Sequence, residues 1–160
     1  MTRRVAPIAV VLLALTWGGL LSGCQPRQAK APPVFDAVRK NDVAAVNRYL
    51  KDGGDPNLAD ANGDTLLYVA AGPKGGAAVT AALLAGGAQP EAGNRDGRTP
   101  LQNAAGWCST DVVAALLSGG ADPLRPGGNG KTAFDSVCAS PADRRAATLE
   151  LLNGGISGGK

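Results

Sequence analysis

From residue 34 onward, short and longer apolar stretches alternate, separated by polar, glycine-rich turns. The short stretches are LLYVAA (66–71), PLQNAA (100–105) and AFDSVC (133–138). The longer ones, VTAALLAGG (79–87) and VVAALLSGG (112–120), carry Val and Leu at helical spacing. Such spacing places the branched side chains on one face of a helix. Each short stretch follows a tetrapeptide turn, NGDT, DGRT or NGKT, whose Gly suits a positive φ. Thr65, Thr99 and Thr132 stand where a hydroxyl can cap the helix that follows. Paired Gly closes each longer helix, as a left-handed C-cap requires, and Pro follows where the helix cannot continue. The pattern predicts pairs of antiparallel helices and no sheet.

The pairs are periodic. Gly63, Gly97 and Gly130 are spaced 34 and 33 residues apart, and so are Thr65, Thr99 and Thr132. Pro56, Pro90 and Pro123 repeat with the same spacings within GGDPN, GGAQP and GGADP. A fixed period of this length marks a stacked array. The unit resembles the ankyrin repeat, most closely at Asp96-Gly97-Arg98-Thr99-Pro100-Leu101-Gln102-Asn103-Ala104-Ala105, Val112-Val113, Leu116-Leu117 and Gly120-Ala121-Asp122-Pro123. The resemblance implies an all-α solenoid of about four helix-turn-helix repeats, 34–60, 61–93, 94–126 and 127–155, with 156–160 as a disordered tail.

One such unit cannot bury its apolar face alone, so neighbours must cover it. Leu67, Ala70, Leu83 and Leu84 are expected to pack on Leu101, Ala104, Leu116 and Leu117, and those on Phe134, Val137, Leu149 and Leu152. The first repeat lacks its leading turn and reads as a polar cap. The second carries Gly72-Pro73-Lys74-Gly75-Gly76 between its helices, and the fourth a longer turn at 139–143. Where the family has His in T-P-L-H, this chain has Tyr68, Gln102 and Asp135.

Residues 1–23 carry a different signal. Arg3 and Arg4 precede an uncharged run from Val5 to Leu21, which ends in Leu21-Ser22-Gly23-Cys24. The run is short for a helix that must span about 20 residues of membrane, and it has the layout of an export signal. Its end resembles the lipobox of bacterial lipoproteins. That resemblance implies a cleaved signal peptide, a lipidated Cys24 that holds the chain on a membrane, and Gln25–Pro33 as a flexible tether. Gln25 is not the Asp that retains lipoproteins in an inner membrane, so a two-membrane cell would place the protein on the outer membrane, facing the periplasm.

Composition narrows the chemistry. The chain has no His, which removes His-based triads, His metal ligands and imidazole switching. Cleavage would remove two of the 16 basic residues and none of the 13 acidic ones, leaving a side-chain balance of +1. That balance gives no argument for nucleic acid. No cofactor, metal or catalytic residue is expected. The Asp residues sit mostly at turns and helix ends, where capping explains them. Cys108 and Cys138 fall near one end of adjacent first helices. Equivalent positions on packed helices lie about 10 Å apart. A disulfide needs its Cα atoms within about 7 Å, so the pair is either bonded or two small buried hydrophobes. Trp107 is either an exposed interface anchor or a lid over the small residues of the GPKGG turn.

The resemblance also implies a concave binding face of turn tips and first helices. Here it maps to Asn62, Asp64, Tyr68, Arg95, Arg98, Gln102, Asn103, Arg125, Lys131 and Asp135, with Trp107 beside it. Arg95 and Arg98 are expected to project into solvent and to favour an acidic or mixed partner surface. The expected function is a monomeric, non-catalytic lipoprotein binding a protein partner in the bacterial cell envelope as an adaptor. An immunity or inhibitor protein acting on a toxin or enzyme is the alternative, and an enzyme the remote one.

Overall fold

A computed structural model describes residues 33–139 and 141–158. The signal peptide, Cys24 and the tether up to residue 32 lie outside the described residues. Among the described residues seven α-helices follow in order: α1 (Pro33–Arg39), α2 (Val43–Lys51), α3 (Leu66–Ala70), α4 (Ala77–Ala85), α5 (Pro100–Trp107), α6 (Thr110–Ser118) and α7 (Ala142–Gly158). A single 3-10 turn, Phe134–Ser136, precedes α7. Pro33, expected in the tether, is instead the first residue of α1, a position where its missing N–H costs nothing.

The inner row is α1, α3, α5 and the 3-10 turn; the outer row is α2, α4, α6 and α7. One continuous core runs between them. Phe35, Leu66, Leu67, Leu83, Leu101, Leu116 and Leu152 are fully buried in it. Ala70 and Ala104 are wholly enclosed, and their small size lets the inner helices approach closely. Leu84, Leu117, Phe134 and Val137 pack on its margin. In α7 the expected Leu149 gives way to Leu151, which packs beside Leu152, and Thr148 is buried with its hydroxyl donating to the Arg144 carbonyl at 2.8 Å.

Side-chain-to-backbone hydrogen bonds link each repeat to the next. The Gln89 N–H donates to Asn57 Oδ1 at 2.8 Å and Gln102 Nε2 to the Lys131 carbonyl, while within the second repeat the Thr65 hydroxyl donates to the Ala92 carbonyl at 2.6 Å. Asn103 Nδ2 donates to the Tyr68 carbonyl at 3.1 Å, and the Asp122 N–H to Glu91 Oε1 at 2.7 Å. The turn tips are built alike: Gly63, Gly97 and Gly130 have φ of 82, 73 and 74°, values that favour glycine. At Gly97 a Cβ would also stand 2.8 Å from the Gly128 Cα, so the third and fourth tips meet backbone on backbone.

Two expectations at the C-terminal end are corrected. The fourth repeat has no first α-helix. Thr132, expected to cap one, donates its own N–H and hydroxyl to Asp135 Oδ2, each at 2.8 Å. The Ser136 hydroxyl takes the Thr132 carbonyl that a first helical turn would use, and only 3-10 bonds remain. Nor does order end at 155: α7 continues through Gly154 and Gly155 to Gly158, so 156–158 are helical rather than tail. Gly155 suits this course, because a Cβ there would come within 2.8 Å of Leu117.

Candidate functional site

Thr65 and Thr99 fix the inner helices by capping. The Tyr68 N–H donates to the Thr65 hydroxyl at 3.1 Å. At Thr99 the arrangement is reciprocal: the Gln102 N–H donates to the Thr99 hydroxyl at 3.2 Å, and the Thr99 N–H donates to Gln102 Oε1 at 3.0 Å. This use of Gln102 decides its place. Its Nε2 donates to the Lys131 carbonyl of the next repeat, and the residue is 1% exposed. Asn103 is 7% exposed and is bound to the second repeat. Both are expected on the binding surface; Gln102, directly after T-P-L, instead faces the next repeat, and Asn103 is tied to the second repeat by its Nδ2 and shows only a small face to the cleft beside Tyr68.

The remaining expected residues divide by exposure. Asn62, Arg95, Lys131 and Asp135 are exposed along the tips. Arg95 leans on the preceding tip, with Nη2 donating to the Ala61 carbonyl at 3.0 Å. Arg125 is also exposed, and its Nε pairs with Glu91 Oε2 at 3.5 Å, away from the tips. Asp135 is held below the usual carboxylate range, first by the Thr132 N–H and then by the Thr132 hydroxyl.

Arg98 is the second correction on this face. It is half-buried rather than solvated, lying back along α5 with Nη2 donating to the Gln102 carbonyl at 3.3 Å. Beside it, Tyr68 is half-buried in the second repeat. Burial pushes the Tyr68 hydroxyl above the ordinary phenol range, and the neighbouring Arg98 charge pulls it back in part.

On the other side of Tyr68 a cleft of about 240 Å³ opens, walled by Arg39, Asp64, Lys74 and Asn103, with Val69 and Pro73 giving it an apolar side. Arg39 was missed in the sequence because the first repeat lacks the tip motif. It lies 3.8 Å from Asp36 and 3.8 Å from Asp60. Asp64 is half-buried; burial raises its pKa, the nearby Asp60 charge adds to the rise, and Arg39 opposes it.

Trp107 stands at the far end of α5, 55% exposed. It lines a second cleft of about 400 Å³ with Gly75, Gly76, Ala77 and Arg144, so it borders the small residues of the second repeat without being covered by them. Next to it, Cys108 and Cys138 are joined in a disulfide, their Cα atoms 5.7 Å apart.

These features make a row of hydrogen-bonded polar tips and two clefts, one beside Tyr68 and one beside Trp107. Among the described residues no group of three or more His, Cys, Asp or Glu is placed to hold a metal ion. No described helix is long and apolar enough to cross a membrane. A family model described as ankyrin repeats, in three copies, matches residues 34–126.

Proposed function

Because the chain belongs to the ankyrin-repeat family, a protein–protein interaction module, we propose that its row of tips and the Tyr68 cleft together hold a protein partner. The observation that carries this reading is the contrast along one face. Gln102 and Asn103 are locked into the stack, while Asn62, Arg95, Lys131 and Asp135 remain exposed on rigid turns. A preorganised polar surface of this kind binds without first ordering itself.

The same proposal places the protein in the bacterial cell envelope, held by a lipid on Cys24 after cleavage behind Leu21-Ser22-Gly23. Two or more acyl chains on one residue would anchor it stably. The module acts there as a non-catalytic adaptor for another envelope protein.

Affinity capture from envelope extract tests the binding role. Wild type and a variant with Asn62, Arg95 and Lys131 all changed to Ala are compared at matched thermal stability. Loss of a captured partner from the variant alone supports the reading, and equal capture refutes it. Labelled fatty acid tests the anchor: it should appear on wild type and not on Cys24→Ala. Its absence from wild type would remove the membrane attachment.

A further inference from the structure

Arg98 combines three properties found together nowhere else among the described arginines. It is half-buried, it lies on the inner face, and no carboxylate oxygen among the described residues comes within 4 Å of its side-chain nitrogens. Arg39 is shared by Asp36 and Asp60, and Arg125 is matched by Glu91. A guanidinium has five donors in a planar fork suited to a carboxylate. Here Nη2 donates to the Gln102 carbonyl, and the guanidinium also stands in hydrogen-bonding reach of the Tyr68 hydroxyl, whose burial-raised pKa it lowers in part; neither partner is an anion. Taking a cation partly out of water without a counter-ion costs free energy, which an incoming anion recovers.

Space for this guanidinium is built into α5. A Cβ on Gly106 would stand 2.8 Å from Arg98 Nη2. Glycine in a helix is less stable than alanine, and Gly106 has no positive φ to require it. The glycine leaves room for the guanidinium to lie on the helix, and a Cβ there would meet the Ser136 carbonyl only at 3.4 Å, an ordinary contact. Tyr68 supplies a hydroxyl on the neighbouring repeat, close enough to feel the Arg98 charge.

We propose that Arg98, seated on Gly106 and flanked by the Tyr68 hydroxyl, is a carboxylate-recognition site that takes an Asp or Glu side chain of the protein partner. The proposal rests on the interaction reading above and names the partner chemistry at its centre. Arg98 supplies the charge and the fork, Tyr68 one further hydrogen bond, and Gly106 the position.

The test is selection of a displayed random-peptide library on the full chain. Peptides enriched on wild type should share an Asp or Glu. Arg98→Gln should weaken each of them at least about tenfold, as loss of a charge-assisted hydrogen bond requires. Selection on Arg98→Glu should replace the shared acid by Lys or Arg. Gly106→Ala separates binding from folding: it should unfold no earlier than wild type yet weaken the same peptides, because its methyl displaces the guanidinium. Enriched peptides with no shared acid, or with unchanged affinity for Arg98→Gln, overturn the carboxylate site. If those peptides instead depend on Asn62, Arg95 or Lys131, the interaction reading stands without it. A library that yields no binder sensitive to any concave-face substitution overturns both.

Discussion

The main-chain N–H of Cys138 donates to the Ala105 carbonyl at 3.1 Å. This bond draws the fourth repeat against the end of α5, where the third repeat still has a helix and the fourth has only its 3-10 turn. Cys108 meets it from a left-handed C-cap, with φ 49° and ψ 44°. The two departures from regular repeat geometry together bring the Cα atoms to 5.7 Å, well inside the spacing of parallel helix positions.

The disulfide should therefore fasten the last repeat in addition to the packing of α7 on α6. Oxidised protein is expected to weigh about two mass units less than the dithiol, since bond formation removes two hydrogens. Cys138→Ser should lower unfolding free energy by about 2–4 kcal/mol. Denaturant titration with and without reductant checks this: reductant should destabilise wild type and leave Cys138→Ser unmoved.

Gln102→Ala should be far more costly than a change at the neighbouring tip. It strips the partner from the buried Thr99 N–H, a loss of about 1–3 kcal/mol. Arg95→Ala, on an exposed tip, should stay within about 0.5 kcal/mol of wild type. Equal melting of the two variants would contradict the placement of Gln102 inside the stack.

Core changes should act through size in both directions. Leu101→Ala and Leu116→Ala each leave a cavity and should cost about 2–5 kcal/mol. Ala104→Leu, at a fully enclosed contact of inner helices, should cost about 1–3 kcal/mol by overpacking. In all three, binding should fail only as the stack melts, which thermal unfolding and partner capture on the same samples will show.

Two aspartates should titrate in opposite directions. Asp135 is depressed, so its contribution to stability is present above the unfolded carboxylate range and is lost as pH falls through its folded value. Asp64 is raised, so it takes up its proton at higher pH than an unfolded Asp, and acid favours the folded form at that site. Carboxyl carbon NMR should place the Asp64 midpoint above the Asp135 midpoint. Thr132→Val should move Asp135 back toward the ordinary range by removing the hydroxyl donor.

The architecture is legible because the tip Gly, the Thr two residues on and the Gly pair with its Pro each recur three times on one period. The same reasoning placed Leu67, Leu83, Leu101, Leu116 and Leu152 inside. What could not be read was which way a polar residue on an inner helix turns. Gln102 and Asn103 look like surface residues in a string of letters; only the neighbouring carbonyls of Lys131 and Tyr68 explain their burial. Arg98 was misjudged for a similar reason, since the room it occupies is made by a glycine eight positions later. In the fourth repeat, Asp135 and Ser136 redirect the capping bonds by side-chain competition with the backbone, a local effect that periodicity conceals.

Among the described residues the stitches between repeats reach one unit along the chain: Asn57 to Gln89, Tyr68 to Asn103, Glu91 to Asp122, Gln102 to Lys131. No part of the body waits for a strand from the distant end to complete it. Closure entropy stays small at each step, and assembly can advance in the direction of synthesis, each helix pair docking as soon as it emerges. The disulfide keeps the same rule: Cys108 and Cys138 are 30 residues apart, so it too closes between neighbouring repeats.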